Sequence, residues 1–79
     1  MHILYLVTAG PSDPTRATIP LHIAANGSVE VGQQATVALA GYSVEIVLRD
    51  NIETIEGVGL PPMSELVTKL RDHQVPIYI

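Results

Sequence analysis

Apolar runs alternate along the chain with segments of helical periodicity, and this alternation predicts an α/β fold. Residues 1–7 form a continuous apolar stretch, typical of a strand covered on both faces in a parallel sheet. Two further strands are predicted at about residues 34–40 and 75–79, where apolar and β-branched side chains recur. We expect three parallel strands, with the first (about residues 2–8) between the other two and helices on both faces of the sheet.

A helix is predicted to begin directly after the first strand. Asp13 is a good N-cap, and Pro14 suits the first helical position because it has no N–H to leave unpaired. Pro20 lies inside this segment and predicts a kink or a break. Small or apolar residues at helical spacing form the predicted inner stripe, at Ala17, Leu21, Ala24, Ser28 and Val31.

The opposite side of this helix is also apolar. Ile19, Ile23 and Val29 lie there, with His22 among them. A helix that is apolar on two sides is usually covered on two sides, so we predict a subunit interface at these four residues, covered by another chain or by segments of the protein outside the 79 residues. His22 is interpreted as an interface residue, because nothing beyond its residue type recommends it for acid–base chemistry.

Beyond the second strand, the pattern predicts a turn, a second helix, a loop and a third helix. The turn comprises residues 41–43, and the second helix follows from Val44, although residues 44–48 suit a strand by composition as well. The loop spans residues 57–62, and Glu65 and Lys69 are expected to pair on the exposed side of the third helix. Its predicted buried stripe is Met63, Leu66, Val67 and Leu70.

The loops after the first two strands supply the candidate ligand-binding residues. In an open parallel sheet both loops leave the same edge, where a helix N-terminus presents free N–H groups to a small or anionic ligand. The predicted contacts are Thr8, Gly10, Ser12, Thr15, Arg16, Gly41 and Tyr42. Capping by Ser12 and Asp13, with Arg16 as a solvated charge, explains the same residue types, and no glycine-rich phosphate motif is present.

Composition narrows the classes of function. The formal net charge of -4, with only four Lys and Arg, argues against nucleic acid or an anionic membrane surface as the partner. The 79 residues contain no cysteine, which excludes thiolate catalysis and thiolate metal sites within them. No catalytic residue, metal site or cofactor is predicted. The absence of a signal peptide or a long apolar run makes the cytoplasm the default location.

Two longer stretches resemble a known family. The run LYLVTAGPSDPTRATIPLHIAANGSVEVGQQATVALAG resembles the start of the DsrE/DsrF-like family, with a strand, a small-residue loop, a proline-containing helix and a second strand ending in glycine. LPPMSELVTKLRDHQVPIYI resembles that family's later helix and third strand. The resemblance implies one flavodoxin-like, three-layer domain over residues 1–79, as the N-terminal part of a five-stranded domain. It also implies self-association into trimers or hexamers.

The resemblance leaves two interpretations of function. Some members of the family work in an intracellular sulfur relay, in which a persulfide-carrying cysteine follows the strand matching residues 75–79. Persulfide transfer requires a nucleophilic sulfur, so the first interpretation is a relay subunit whose reactive cysteine lies beyond Ile79, with other relay proteins as partners. The second is a cysteine-free subunit that binds a small ligand or serves assembly. The sequence does not decide between them or establish whether the protein is an enzyme.

Overall fold

The chain folds around one three-stranded parallel sheet, which confirms the predicted α/β class. The structure is a computed structural model that describes residues 2–48 and 50–79. Met1, in the first apolar run, and Arg49, in the predicted second helix, lie outside the described residues. The elements in chain order are β1 (His2–Val7), α1 (Pro14–Ile23), a π-helical turn (Ala24–Ser28), β2 (Gln34–Leu39), a 3-10 helix (Gly41–Val47), α2 (Asn51–Thr54), α3 (Met63–Asp72) and β3 (Ile77–Tyr78).

The strands lie in the order β1–β2–β3, and both pairings are parallel. The prediction that β1 lies between the other two strands is therefore wrong, because β2 is central. Two right-handed crossovers that advance in the same direction leave their helices on the same side of the sheet. The strand order β1–β2–β3 therefore leaves one face of the sheet without helices. The three layers that were expected, with helices on both faces, are not formed by the described residues.

The two faces of the sheet differ in burial. On the helical side, Val7, Val37 and Leu39 are buried, and Tyr5 and Ile77 pack against the same core. The opposite side, here called the open sheet face, carries the alternate residues of the three strands. Three of its large side chains are each 61% exposed: Leu4, Leu6 and Tyr78. The open sheet face consists of His2, Leu4, Leu6, Gln34, Thr36, Ala38 and Tyr78.

The first helix begins as predicted and ends in an unexpected way. Asp13 caps α1, with Pro14 in the first turn, and α1 continues through Pro20. It runs into the π-helical turn, where the Val29 N–H bonds to the Ala24 carbonyl at 3.1 Å, five residues back. The extra residue in this turn rotates later positions, so Val29 packs against the core while Val31 is exposed, contrary to prediction. The rest of the inner stripe is buried as predicted: Ala17, Leu21, Ala24 and Ser28.

The second half of the chain is helical but less regular than predicted. A 3-10 helix and the short α2 replace the expected single helix, and residues 44–48 do not form the alternative strand. α3 is confirmed, with its four predicted residues buried. Lys69 contacts Glu30 rather than the predicted Glu65, with 2.8 Å between Nζ and Oε1. Across residues 2–48 and 50–79, every helix falls short of the length and apolar character that a membrane crossing needs.

Candidate functional site

The loops after β1 and β2 touch each other at the carboxyl edge of the sheet, as predicted. Gly10 lies against the backbone of Tyr42, so closely that a Cβ on Gly10 would be 2.3 Å from the Tyr42 carbonyl oxygen. Gly41 adopts a positive φ of 59°, which favours glycine, beside the Thr8 carbonyl. A glycine at each position therefore allows the two loops to meet.

Ser43 fixes this contact from inside the protein. Its buried hydroxyl accepts the Ala40 N–H at 2.8 Å and lies 2.5 Å from the Val7 carbonyl oxygen and 2.7 Å from the Ala40 carbonyl oxygen. The single hydroxyl proton is shared between the two carbonyls, so the ends of β1 and β2 are joined through one side chain. The only sequence signal for this role is a serine just after a strand, where serine commonly bonds to nearby backbone.

Protein groups already contact the N-terminus of α1. The Asp13 carboxylate accepts the Arg16 N–H at 3.3 Å, and the Arg16 Nε lies 3.7 Å from the same carboxylate. The Val58 N–H donates to the Thr15 hydroxyl at 3.0 Å. A Cβ on Gly57 would lie 3.0 Å from the Thr15 Cα, so the loop at residues 57–60 packs closely on the helix. These contacts match the capping interpretation of the segment.

The structure brings together some of the predicted ligand-binding residues. Gly10 and Tyr42 are in contact, Gly41 adjoins Thr8, and Thr15 is held by the loop at residues 57–60. The exposed members are Thr8, Ser12, Arg16, Gly41 and Tyr42. Their role in ligand binding stays a prediction.

Two cavities of about 450 Å³ each lie elsewhere on the molecule. One is at the amino ends of the strands, with His2, Gln34, His73 and Gln74 among its lining residues. The other lies beside β3 and is mainly apolar, with Val47, Ile52, Val67 and Ile77 in its wall. Neither cavity is lined by a predicted ligand-binding residue. In the described part of the chain, no group of three His, Asp or Glu side chains is arranged to hold a metal ion.

The predicted interface residues divide into two groups. Ile19 and Ile23 are 42% and 48% exposed on the outer side of α1, as expected for an uncovered apolar surface. His22 is half-buried, and its Nδ1 accepts a hydrogen bond from the Asn26 amide at 3.0 Å. Val29 belongs to the core side, so it is not part of this outer surface.

The open sheet face exposes more of its large apolar side chains than the outer side of α1 does. All seven of its residues are uncharged types or histidine, so it carries no Asp, Glu, Lys or Arg. His2 Nε2 lies 2.6 Å from Thr36 Oγ1, a bond that links β1 to β2 across the face. An exposed, contiguous apolar patch on a small protein usually marks a binding surface. We therefore regard the open sheet face as the principal candidate site.

Comparison of the chain with known proteins gave no matching family model, no matching curated protein and no matching solved structure. The DsrE/DsrF-like assignment therefore stays a hypothesis.

Proposed function

We propose that this protein is an assembly subunit that forms a homo-oligomer and covers its open sheet face in doing so. The observation that carries the proposal is the exposure of Leu4, Leu6 and Tyr78, each 61% exposed, on one uncharged face. The sequence makes β1 apolar on both sides, but the helices cover only one of them. The second apolar side is consistent with a strand that is covered from outside the monomer.

The energy available from covering this face is of the same order as the cost of association. Full burial of a leucine-sized side chain contributes about 1.5–3 kcal/mol, so a side chain that is 61% exposed retains roughly 1–2 kcal/mol. Six such side chains from two copies sum to roughly 6–12 kcal/mol, against an association cost of about 4–15 kcal/mol. The balance favours a weak, concentration-dependent oligomer rather than a permanent one.

Association through this face should also stabilise the fold. A partner copy that binds only the folded chain shifts the unfolding equilibrium by mass action. We therefore expect association and folding stability to rise together with protein concentration.

Sedimentation equilibrium on matched variants tests the proposal. The wild type should exceed the monomer mass of 8.5 kDa as concentration rises from the micromolar to the millimolar range. Leu6→Glu places a charge on the open sheet face and should remain monomeric. Val58→Glu is the control, because Val58 is 87% exposed on the loop that packs on α1, away from the open sheet face. A wild type that stays at the monomer mass throughout would contradict the proposal.

A sulfur-relay role is a second candidate, supported by the direction of β3. Because β3 is parallel to β2, its carboxyl end points to the same edge as the loops at Thr8 and Gly41. Because β2 lies between β1 and β3, a cysteine following β3 would lie beside the loop at Gly41 and one strand further from the N-terminus of α1, whose dipole favours a thiolate while the Asp13 carboxylate opposes it. The test is to read the codons after Ile79: a cysteine there with a pKa below the free value of about 8.5 would support the role. A gene that encodes no cysteine there would rule out the sulfur-relay role.

A further inference from the structure

The apolar cavity beside β3 is built from several elements of the second half of the chain. The 3-10 helix, α2, α3 and the segment around β3 all contribute to its lining. Its volume of about 450 Å³ lies within the ~300–1,000 Å³ that is usual for small-molecule sites. Six of the seven described residues that line it are aliphatic: Val47, Ile52, Val67, Val75, Ile77 and Ile79.

The aliphatic walls of this cavity are continuous with the hydrophobic core. Val67 is buried, and Val47, Ile52 and Ile77 are partly buried and pack against the core. A ligand in the cavity would therefore meet side chains that core packing already holds in place, which lowers the entropic cost of binding. Because these side chains offer only apolar contacts, the part of a ligand that lies between them has to be apolar as well.

The remaining lining residue is Arg71, at the last turn of α3. Among the described residues that line the cavity it is the only charged one. The guanidinium is exposed, and within residues 2–48 and 50–79 it has no ion-pair partner. The other two cations in these ranges are paired, Arg16 with Asp13 and Lys69 with Glu30. A guanidinium presents its N–H donors in a planar fork that matches a carboxylate.

We propose that this cavity binds a small aliphatic carboxylate, with the hydrocarbon chain between the aliphatic walls and the carboxylate paired with Arg71 at the rim. A neutral hydrocarbon would leave the guanidinium without a partner, and a wholly polar anion would make no use of the walls. An anion with an apolar chain satisfies both parts of the lining. The single cation fits one carboxylate better than a polyanion.

The proposed site is separate from the open sheet face. Ile77 packs against the core, whereas its neighbour Tyr78 points to the other side of the sheet, where it is exposed. A ligand beside Ile77 therefore leaves Leu4 and Leu6 uncovered. The inference thus goes beyond the proposed assembly and does not depend on it.

The length of the ligand tests the role of the walls. The experiment titrates methyl-labelled protein with straight-chain carboxylates from butanoate to decanoate at pH 7, followed by NMR. Each added methylene should tighten binding by up to about fourfold until the cavity is full. Octanoate should then bind with a dissociation constant on the order of 1 mM. No binding by any member, or an affinity that does not depend on chain length, would overturn the proposal.

Substitution of Arg71 tests the role of the charge. Arg71→Met removes the guanidinium but keeps an unbranched stem, so the dissociation constant for octanoate should rise about threefold or more. Arg16→Met makes the same change in net charge on α1 and should alter the constant by less than about 1.5-fold, because distant exposed charges are screened. Circular dichroism of both variants confirms that they are folded. Equal losses of affinity in the two variants would overturn the pairing with Arg71.

Methyl signals locate the bound ligand. Octanoate protons should show nuclear Overhauser effects to the methyl groups of Ile52, Val67 and Ile77. Effects confined to Leu4 and Leu6 would mean adsorption on the open sheet face and would overturn the proposal. It would also be overturned if the Ile52 and Ile77 signals moved on concentrating the protein without ligand, because a second copy would then cover the cavity. A wild type that stays monomeric but binds octanoate here would contradict only the proposed assembly.

Discussion

Replacing Gly10 with alanine tests the contact on which the arrangement of the two loops depends. The added Cβ would lie 2.3 Å from the Tyr42 carbonyl oxygen and 2.9 Å from its carbonyl carbon. Carbon and carbonyl oxygen normally approach no closer than ~3.3 Å, so the loops would have to separate by about 1 Å. Both atoms belong to the backbone, so no side chain can rotate away to relieve the clash.

The expected cost is large for a single methyl group. Overpacking in a well-packed region typically costs about 1–3 kcal/mol, and Ser43 restrains the Tyr42 segment because its hydroxyl lies 2.5 Å from the Val7 carbonyl. We therefore expect Gly10→Ala to lower the free energy of unfolding by about 2–3 kcal/mol. For a chain of this size that corresponds to a fall in Tm of roughly 10–20 °C.

Gly27→Ala is the matched control for this experiment. A Cβ on Gly27 would meet only the Ile23 Cγ2, at 3.7 Å, which is an ordinary van der Waals contact. Gly27 lies in the π-helical turn, where alanine should add about 0.5–1 kcal/mol of stability. Urea unfolding followed by circular dichroism, at one concentration for all proteins, measures both changes. A Gly10→Ala protein within about 0.5 kcal/mol of the wild type would refute the close loop contact.

Two further predictions concern α3. Gln74 has a φ of 59° just after this helix, where its N–H bonds to the Arg71 carbonyl and the Val75 N–H bonds to the Leu70 carbonyl. Because that left-handed conformation costs a non-glycine residue roughly 1–2 kcal/mol, Gln74→Gly should raise the free energy of unfolding by about 1 kcal/mol, and a lower Tm would count against this helix end. The Lys69 ammonium, through its hydrogen bond and then its charge, lowers the pKa of Glu30. The small contribution of the Lys69–Glu30 pair to folding stability is therefore present above the pKa that Glu30 has in the unfolded chain. It is lost as pH falls through the lower pKa that Glu30 has in the folded protein. Lys69→Met should raise the Glu30 pKa in an NMR titration, and an unchanged value would show that the pair does not form in solution.

Features that depend on local pattern were predictable from the sequence. The start of α1 follows from Asp13 and Pro14, and the buried stripe of α3 follows from helical spacing. Val29 and Val31 were predicted on the wrong sides of the helix because the π-helical turn changes the register after Ala24. Regular helical spacing of apolar residues does not indicate such a turn. The 3-10 helix was missed for a related reason, since short apolar segments do not distinguish one helical period from another.

Strand order was not predictable from composition. Right-handed crossovers permit β1 to be either central or at the edge, and a run that is apolar on both sides suits the centre better. The structure instead places β1 at the edge and leaves Leu4 and Leu6 exposed. The candidate functional sites were likewise predictable only in part. The meeting of the loops was predictable from the parallel topology, whereas the open sheet face became visible only once the strand order was known.

Solvent accessibility of the Leu4 and Leu6 methyl groups at high and low concentration tests the central claim most directly. A soluble paramagnetic agent broadens the NMR signals of methyl groups that it can approach, and the Ile19 and Ile23 methyls on α1 serve as the internal reference. We predict that Leu4 and Leu6 are broadened when the protein is dilute and protected when it is concentrated, while Ile19 and Ile23 change little. Equal broadening of all four residues at both concentrations would contradict the claim that the open sheet face is covered by assembly.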